Sequence, residues 1–388
     1  MSNTKELDKK YVANTYARFD IEPVSGRGSR VFDECGKEYI DLSTGIAVNT
    51  FGYCDEEWIN AVTEQMNKFQ HTSNLYYSAP CARLAELLCK RTGAKKVFFG
   101  NSGAEANECA IKVARKWAQD TKGEGDYYII TLKNSFHGRT VTTLKATGQD
   151  VFHKDFGPFP EGFVYAESDS VDSVRELCEK YPCCAVLMEP VQGEGGVVPL
   201  SVEFVKGVKK LCDEFGMLLM VDEVQTGNGR TGTLYAYEQF GITPDVVTTA
   251  KGLGGGLPIG ACMLFERVES TLGAGSHGST FGGNPIAAAG ALNIISRIDE
   301  NLLAGVRERS EYIFSALEGK KGIKSVTGLG LMIGIETERD SSVVLAECIE
   351  RGILPIKAKS KIRLLPALNI PMDDLKRAVE IIAECAGA

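Results

Sequence analysis

The chain has 388 residues, 44% hydrophobic and 24% charged, a globular composition on a length that usually divides into two or three domains. Its formal net charge of −8 gives no clustered positive field, so neither nucleic acid nor an anionic membrane is expected as a partner. The opening MSNTKELDKKY lacks the apolar core of a signal peptide, and no run reaches the ~18 apolar residues of a membrane span.

In chain order, RVFDECGKEYIDL (30–42) reads as two short strands around the turn ECGK, able to pack with either domain that follows. Short apolar runs then recur: KVFF (96–99), YYIITL (127–132), CAVLME (184–189), MLLMVD (217–222), DVVTTA (245–250) and ACMLF (261–265). Helical patterns separate several of them. Residues 105–119 place Ala106, Ala110, Ala114 and Trp117 on one face, and SVEFVKGVKKLCDEFG (201–216) repeats its apolar residues similarly. Continuous apolar strands alternating with helices predict an α/β fold whose mainly parallel sheet is covered on both faces.

Beyond residue 285 the order changes. Helices over 285–299 and 302–318 precede a strand in VTGLGLMIGIE, a helix near 341–351, the strand KIRLLPA and a last helix from Met372. The expected division is an N-terminal segment (1–45), a large domain (46–285) and a smaller α+β C-terminal domain (286–388). The twelve cysteines are scattered without a C-x-x-C, several inside apolar segments, as Cys184 and Cys262 are. Buried reduced thiols in a cytoplasmic protein fit this pattern. The four histidines are not at metal-ligand spacing, so no metal site is expected.

In an open parallel sheet, ligands bind beyond the carboxyl ends of the strands. After KVFF comes GNSGAEANE, opening a helix. Its first N–H groups beside Ser102 suit a phosphate, although this stretch taken alone is read first as an ordinary capped helix, with Ser102 or Asn101 as the cap. After YYIITL comes KNSFHGRT, with Phe136, His137 and Arg139. EPVQGEGG follows with Glu189 and Glu194, then DEVQTGNGRTG with Asp222 and Gln225. After DVVTTA stands Lys251, followed by glycines. An anion cup, an aromatic plate, carboxylates and a lysine meet the needs of pyridoxal phosphate: an amine for its aldehyde, an acid for its ring nitrogen and an anchor for its phosphate. The glycines after Lys251 are expected to let the chain bend close to that cofactor.

SGAEAN, FHGRT, EPVQGEGG, DEVQTGNGRTG, AKGLGGGLPIGA and HGSTFGGNP, in this order, resemble the class III aminotransferases among the fold-type I pyridoxal-phosphate enzymes, most nearly their N-acetylornithine group. The likeness runs from about residue 16 to the last helix. It implies that Lys251 bonds the cofactor covalently, that Gly103 and Ala104 bind its phosphate, that Phe136 stacks on the ring and that Asp222 pairs with the ring nitrogen. Gln225 would meet the ring hydroxyl. Thr280 would reach the phosphate of a neighbouring subunit's cofactor, which implies a homodimer. Arg139 and Ser279 match positions that contact N-acetylornithine. Arg363 matches the arginine that grips the α-carboxylate of glutamate or 2-oxoglutarate, and Glu194 the acid that pairs with it when the amine donor is bound. The implied activity is transfer of the δ-amino group of N2-acetyl-L-ornithine to 2-oxoglutarate, with ornithine, succinylornithine and 4-aminobutyrate as alternative donors.

Two segments depart from the family pattern. Tyr53 and Asp55 stand where a G-H-x-H-P segment often lies, and Ala104 stands where many members have threonine. One reading from a different class is an NAD-dependent dehydrogenase, since GNGRTG (227–232) satisfies G-x-G-x-x-G. The five residues DEVQT intervene after its strand, however, and Asp245 comes too early for a ribose-binding acid.

Overall fold

The computed structural model describes residues 4–388. At its centre a seven-stranded sheet runs in the order Lys96–Gly100, Gly260–Leu264, Val246–Thr249, Leu218–Asp222, Cys183–Met188, Tyr128–Leu132, Phe163–Ala166. Neighbours pair in parallel except at Gly260–Leu264, which is antiparallel to the strands on both sides. The inner strands carry no polar alternation because both faces are covered. Ile130, Leu132, Val186, Met188, Leu219 and Val221 belong to one core, and Ile129, Cys184, Leu187, Leu218 and Met220 to the other. Ala110, Ala114 and Ala118 of Gly103–Lys122 pack into the second core. Phe204, Val205, Val208 and Leu211 of Val202–Glu214 pack into the first. The apolar runs read from the sequence are therefore strands of one sheet, joined by Phe163–Ala166, which its short FVYA pattern did not announce.

A separate core gathers Val306, Ile313 and Leu317 of helix Glu300–Leu317, Val344 and Cys348 of Ser341–Glu350, and Leu375, Val379 and Ile382 of Met372–Gly387. These pack on the sheet Ile323–Leu329, Met332–Thr337, Lys361–Leu364, Ile356–Ala358. VTGLGLMIGIE, expected as one strand, is instead the turn and arms of an antiparallel hairpin. Gly330 turns the chain with φ +57°, a conformation side chains disfavour.

The N-terminal strands Arg30–Asp33 and Glu38–Asp41 pair around ECGK as read. Glu38–Asp41 then adds Ile353–Leu354 in parallel, and Ile40 and Leu42 enter the separate core. Ser29 Oγ donates to Asp374 Oδ2 at 2.6 Å, and Arg30 pairs with Asp374 at 2.7 Å. The twelve cysteines are unpaired, with Cys35 and Cys54 exposed and Cys184 and Cys262 fully buried. Among the described residues no helix is long and apolar enough to cross a membrane, and no group of His, Cys, Asp or Glu is placed to hold a metal ion.

Candidate active site

The carboxyl ends of the parallel strands open on a cavity of about 400 Å³, a size suited to a small ligand. Of the residues singled out in the sequence, Asn101, Ser102, Gly103, Ala104, Phe136, His137, Arg139, Glu189, Asp222, Gln225 and Lys251 line it, while Glu194 does not. Each arrives where a buried strand ends and its backbone is released into a loop or helix.

At the helix start, Ser102 Oγ accepts from Glu105 N–H at 3.2 Å and donates to Glu105 Oε2 at 2.9 Å. The hydroxyl is thus engaged as a cap. Among the described residues no acceptor takes the N–H groups of Gly103 and Ala104, so the helix presents them to an anion.

Asp222, 4% exposed, ends Leu218–Asp222. Its Oδ1 accepts from Val224 N–H at 3.0 Å, while Oδ2 takes Asn107 Nδ2 at 2.7 Å and faces His137 Nδ1 at 2.8 Å. The opposite nitrogen of His137, also buried, meets no partner among the described residues.

Lys251 sits two residues beyond Val246–Thr249 with φ +46°, a left-handed backbone that costs a non-glycine residue about 1–3 kcal/mol and marks functional sites. Burial lowers its ammonium below the ordinary lysine range. Nearby Glu194 opposes that shift, and Arg363 adds to it. The glycines after it do a different job from the one expected. Thr50 Oγ1 donates to the carbonyl of Gly252 at 2.7 Å, and Trp58 Nε1 to that of Gly254 at 3.1 Å. A Cβ on Gly254 would lie 2.0 Å from the carbonyl oxygen of Leu257. Gly252 and Gly254 therefore pack the turn against its own protein, and only Gly256 of this run joins the cavity lining.

Arg363, 2% exposed, lies one residue behind the lining. Its Nη1 donates to Glu194 Oε1 at 2.7 Å and to Gln225 Oε1 at 3.1 Å, and its Nε has no partner among the described residues. Ser279 and Thr280 are not on the cavity lining. Ser279 accepts from Asn101 Nδ2 at 3.2 Å, and Thr280 is exposed beside Phe281.

Asn107 is not singled out in the sequence, and Glu189 only as one of the carboxylates that follow a strand. Glu189 accepts from the N–H groups of Phe136 at 2.9 Å and Gly193 at 3.2 Å. Burial pushes its carboxyl up to about 7, with Asp222 adding to the shift while His137 and the two N–H donors oppose it. Between the ordinary value near 4.5 and about 7, the folded chain binds the proton that the unfolded chain has released, so this group's contribution makes stability fall as pH rises through that window. Glu189→Gln is expected to flatten that slope in the cofactor-free protein, as melting temperatures between pH 5 and pH 8 would show. The variant loses one backbone hydrogen bond at every pH, so the comparison lies in the slopes. An unchanged slope would mean that Glu189 is ionised throughout.

GNGRTG, the dehydrogenase-like stretch, holds two parts of the fold together. Arg230 gives Nη1 to the carbonyls of Leu331 and Pro366, and Asn228 Nδ2 reaches Thr249 Oγ1 at 2.9 Å. The two departures in the N-terminal loop are also structural. Tyr53 donates to Asp41 Oδ2 at 2.8 Å. Asp55 caps helix Glu56–Met66 and pairs with Arg297.

Residues 11–386 match the family described as aminotransferase class-III. The chain is a class III aminotransferase. This aminotransferase is 46% identical to an acetylornithine aminotransferase of Haemophilus ducreyi over 98% of this chain and 97% of that one. It is 42% identical to a succinylornithine transaminase of Citrobacter koseri over 99% and 97%. The ornithine aminotransferase of Toxoplasma gondii superposes with a TM-score of 0.95 at 31% identity, covering 99% and 94% of the two chains. The N-acetylornithine aminotransferase of Stenotrophomonas maltophilia superposes at 0.84 with 35% identity, covering 98% and 97%. Backbone likeness is thus greater to the first and sequence likeness to the second. Side chains decide specificity within a shared fold, so identity carries more weight here.

The cofactor of this family is pyridoxal phosphate, and the cavity fits it. Free N–H groups at a helix start suit its phosphate, a buried carboxylate its ring nitrogen, and an amine its aldehyde. An aromatic side chain, Phe136, belongs to the same lining.

Proposed function

We propose that this aminotransferase moves the δ-amino group of N2-acetyl-L-ornithine to 2-oxoglutarate, giving N-acetyl-L-glutamate 5-semialdehyde and L-glutamate, a step of arginine biosynthesis. The observation that carries this reading is the Arg363–Glu194 pair at 2.7 Å, tied through Gln225 to the cavity. A site that takes a dicarboxylate in one half-reaction and an ω-amine in the other needs a cation whose charge can be covered and uncovered. A guanidinium suits bidentate carboxylate binding, and a half-exposed acid can swing away from it. The acetylornithine and succinylornithine relatives support the donor class.

When bound, pyridoxal phosphate supplies an electron sink for the carbon that bears the amine and carries the amino group between substrates. Gly103 and Ala104 bind its phosphate, with Ser102 setting the helix start. Phe136 packs on the ring, Asp222 holds the proton at the ring nitrogen, and Gln225 meets the ring hydroxyl. Lys251 holds the cofactor between turnovers. Lys251 Nζ, freed as a neutral amine when the donor is bound, would be the base that takes and returns the proton at the donor's δ-carbon. Its lowered ammonium supports this role, because only the neutral amine can accept a proton. Arg139 contacts the donor, Ser279, off its own chain's cavity like Thr280, would meet the donor in the partner's cavity, and Arg363 grips the α-carboxylate of 2-oxoglutarate after leaving Glu194.

A homodimer belongs to the same reading. Thr280 lies off its own chain's cavity, next to exposed Phe281, in keeping with service to the partner's cofactor phosphate. The scattered, unpaired thiols support a cytoplasmic setting. N-Acetylornithine added without keto acid is expected to discharge the visible absorbance of the bound cofactor faster than ornithine or succinylornithine in parallel cuvettes. Faster discharge by either competitor would move the donor assignment to it.

A further inference from the structure

Helix Gly103–Lys122 carries an amide on its buried face, Asn107, only 1% exposed. Such a group is costly in a dry interior unless its donors and acceptor are met. Three other elements meet them. Asn107 Nδ2 donates to the carbonyl of His137 at 2.8 Å and to Asp222 Oδ2 at 2.7 Å, while Oδ1 accepts from Thr248 Oγ1 at 2.7 Å. A backbone carbonyl can only accept, so the His137 contact fixes which end of the amide is the NH₂ group. The atom facing Asp222 is then a donor at any pH, and Oδ2 must accept. Oδ2 also faces His137 Nδ1, whereas Oδ1 has only Val224 N–H at 3.0 Å and keeps acceptor capacity to spare.

We propose that Asn107 is a positioning residue that holds Asp222 as an acceptor-only carboxylate, leaving Oδ1 for the proton on the cofactor's ring nitrogen. Through Thr248 the same amide is tied to the strand that delivers Lys251. The inference rests on Asp222 as the partner of that nitrogen.

The test uses holoenzyme carrying pyridoxal phosphate labelled with ¹⁵N at the ring nitrogen. N107D keeps the side chain's shape but sets a carboxyl against Asp222, and two carboxyls at hydrogen-bond distance cannot both stay ionised. Expected are a kcat lowered by roughly 10²-fold, a KM for the amine donor within about threefold of wild type, and a ¹⁵N signal moved toward the unprotonated ring. A folded N107D enzyme with wild-type kcat and ¹⁵N signal overturns the proposal. If N107D does not fold, neutron diffraction from the wild-type holoenzyme decides. Deuterons of Asn107 directed at His137 O and Asp222 are expected, and the amide oxygen directed at Asp222 overturns it. A wild-type ring nitrogen without a proton would instead overturn the underlying assignment of Asp222.

Discussion

Lys251→Ala is expected to lower turnover by roughly 10⁴-fold or more while the fold survives. The substitution removes the amine proposed to hold the cofactor and to move the proton, and among the described residues no other lysine lines the cavity. It also removes a cation that burial already disfavours. The cofactor-free variant should therefore melt at or above the wild-type temperature. The backbone cost at φ +46° remains, because alanine keeps its Cβ. Steady-state assays and calorimetry on the same preparations separate the two effects. Wild-type-like turnover in the variant, with no added amine, would end the proposed mechanism.

Arg363→Leu is expected to divide the two half-reactions. Loss of a paired, charge-assisted contact to a carboxylate costs about 3–4 kcal/mol, so kcat/KM for 2-oxoglutarate should fall by roughly 10²–10³-fold. Discharge of the cofactor by N-acetylornithine should change by less than about tenfold, since the arginine is then covered by Glu194. Arg363→Lys should recover little, because an ammonium lacks the guanidinium fork. Single-turnover absorbance with each substrate alone measures both. Equal losses in the two half-reactions would reduce Arg363 to a structural arginine.

The parallel strands were legible because strands buried on both faces must be apolar throughout, and few residues choose where such a strand ends. Lys251 and Asp222 could be placed from that alone. Strand direction was within reach but unread. Thr249 and Gly260 are too close in sequence for a parallel crossover, which forces Gly260–Leu264 to run antiparallel. Asn107 gave no signal, since an asparagine inside a helix looks neutral until its three partners, all distant in sequence, are in place. The glycines after Lys251 were assigned to the ligand because the neighbours that crowd them, Thr50 and Trp58, lie about 200 residues away along the chain.

The joining of the first strands to the last elements bears on how the protein is made. Ser29 and Asp374 are 345 residues apart in sequence, and Ile40 shares a core with Ile382. On the ribosome, the early hairpin emerges long before anything exists to cover it, and at ~5–20 residues per second the wait is tens of seconds. The seven-stranded sheet closes on residues up to Leu264 and can assemble while the remainder is being synthesised. The hairpin's apolar edge must be shielded through that interval, so slowing the ribosome late in the message should increase aggregation more than slowing it early.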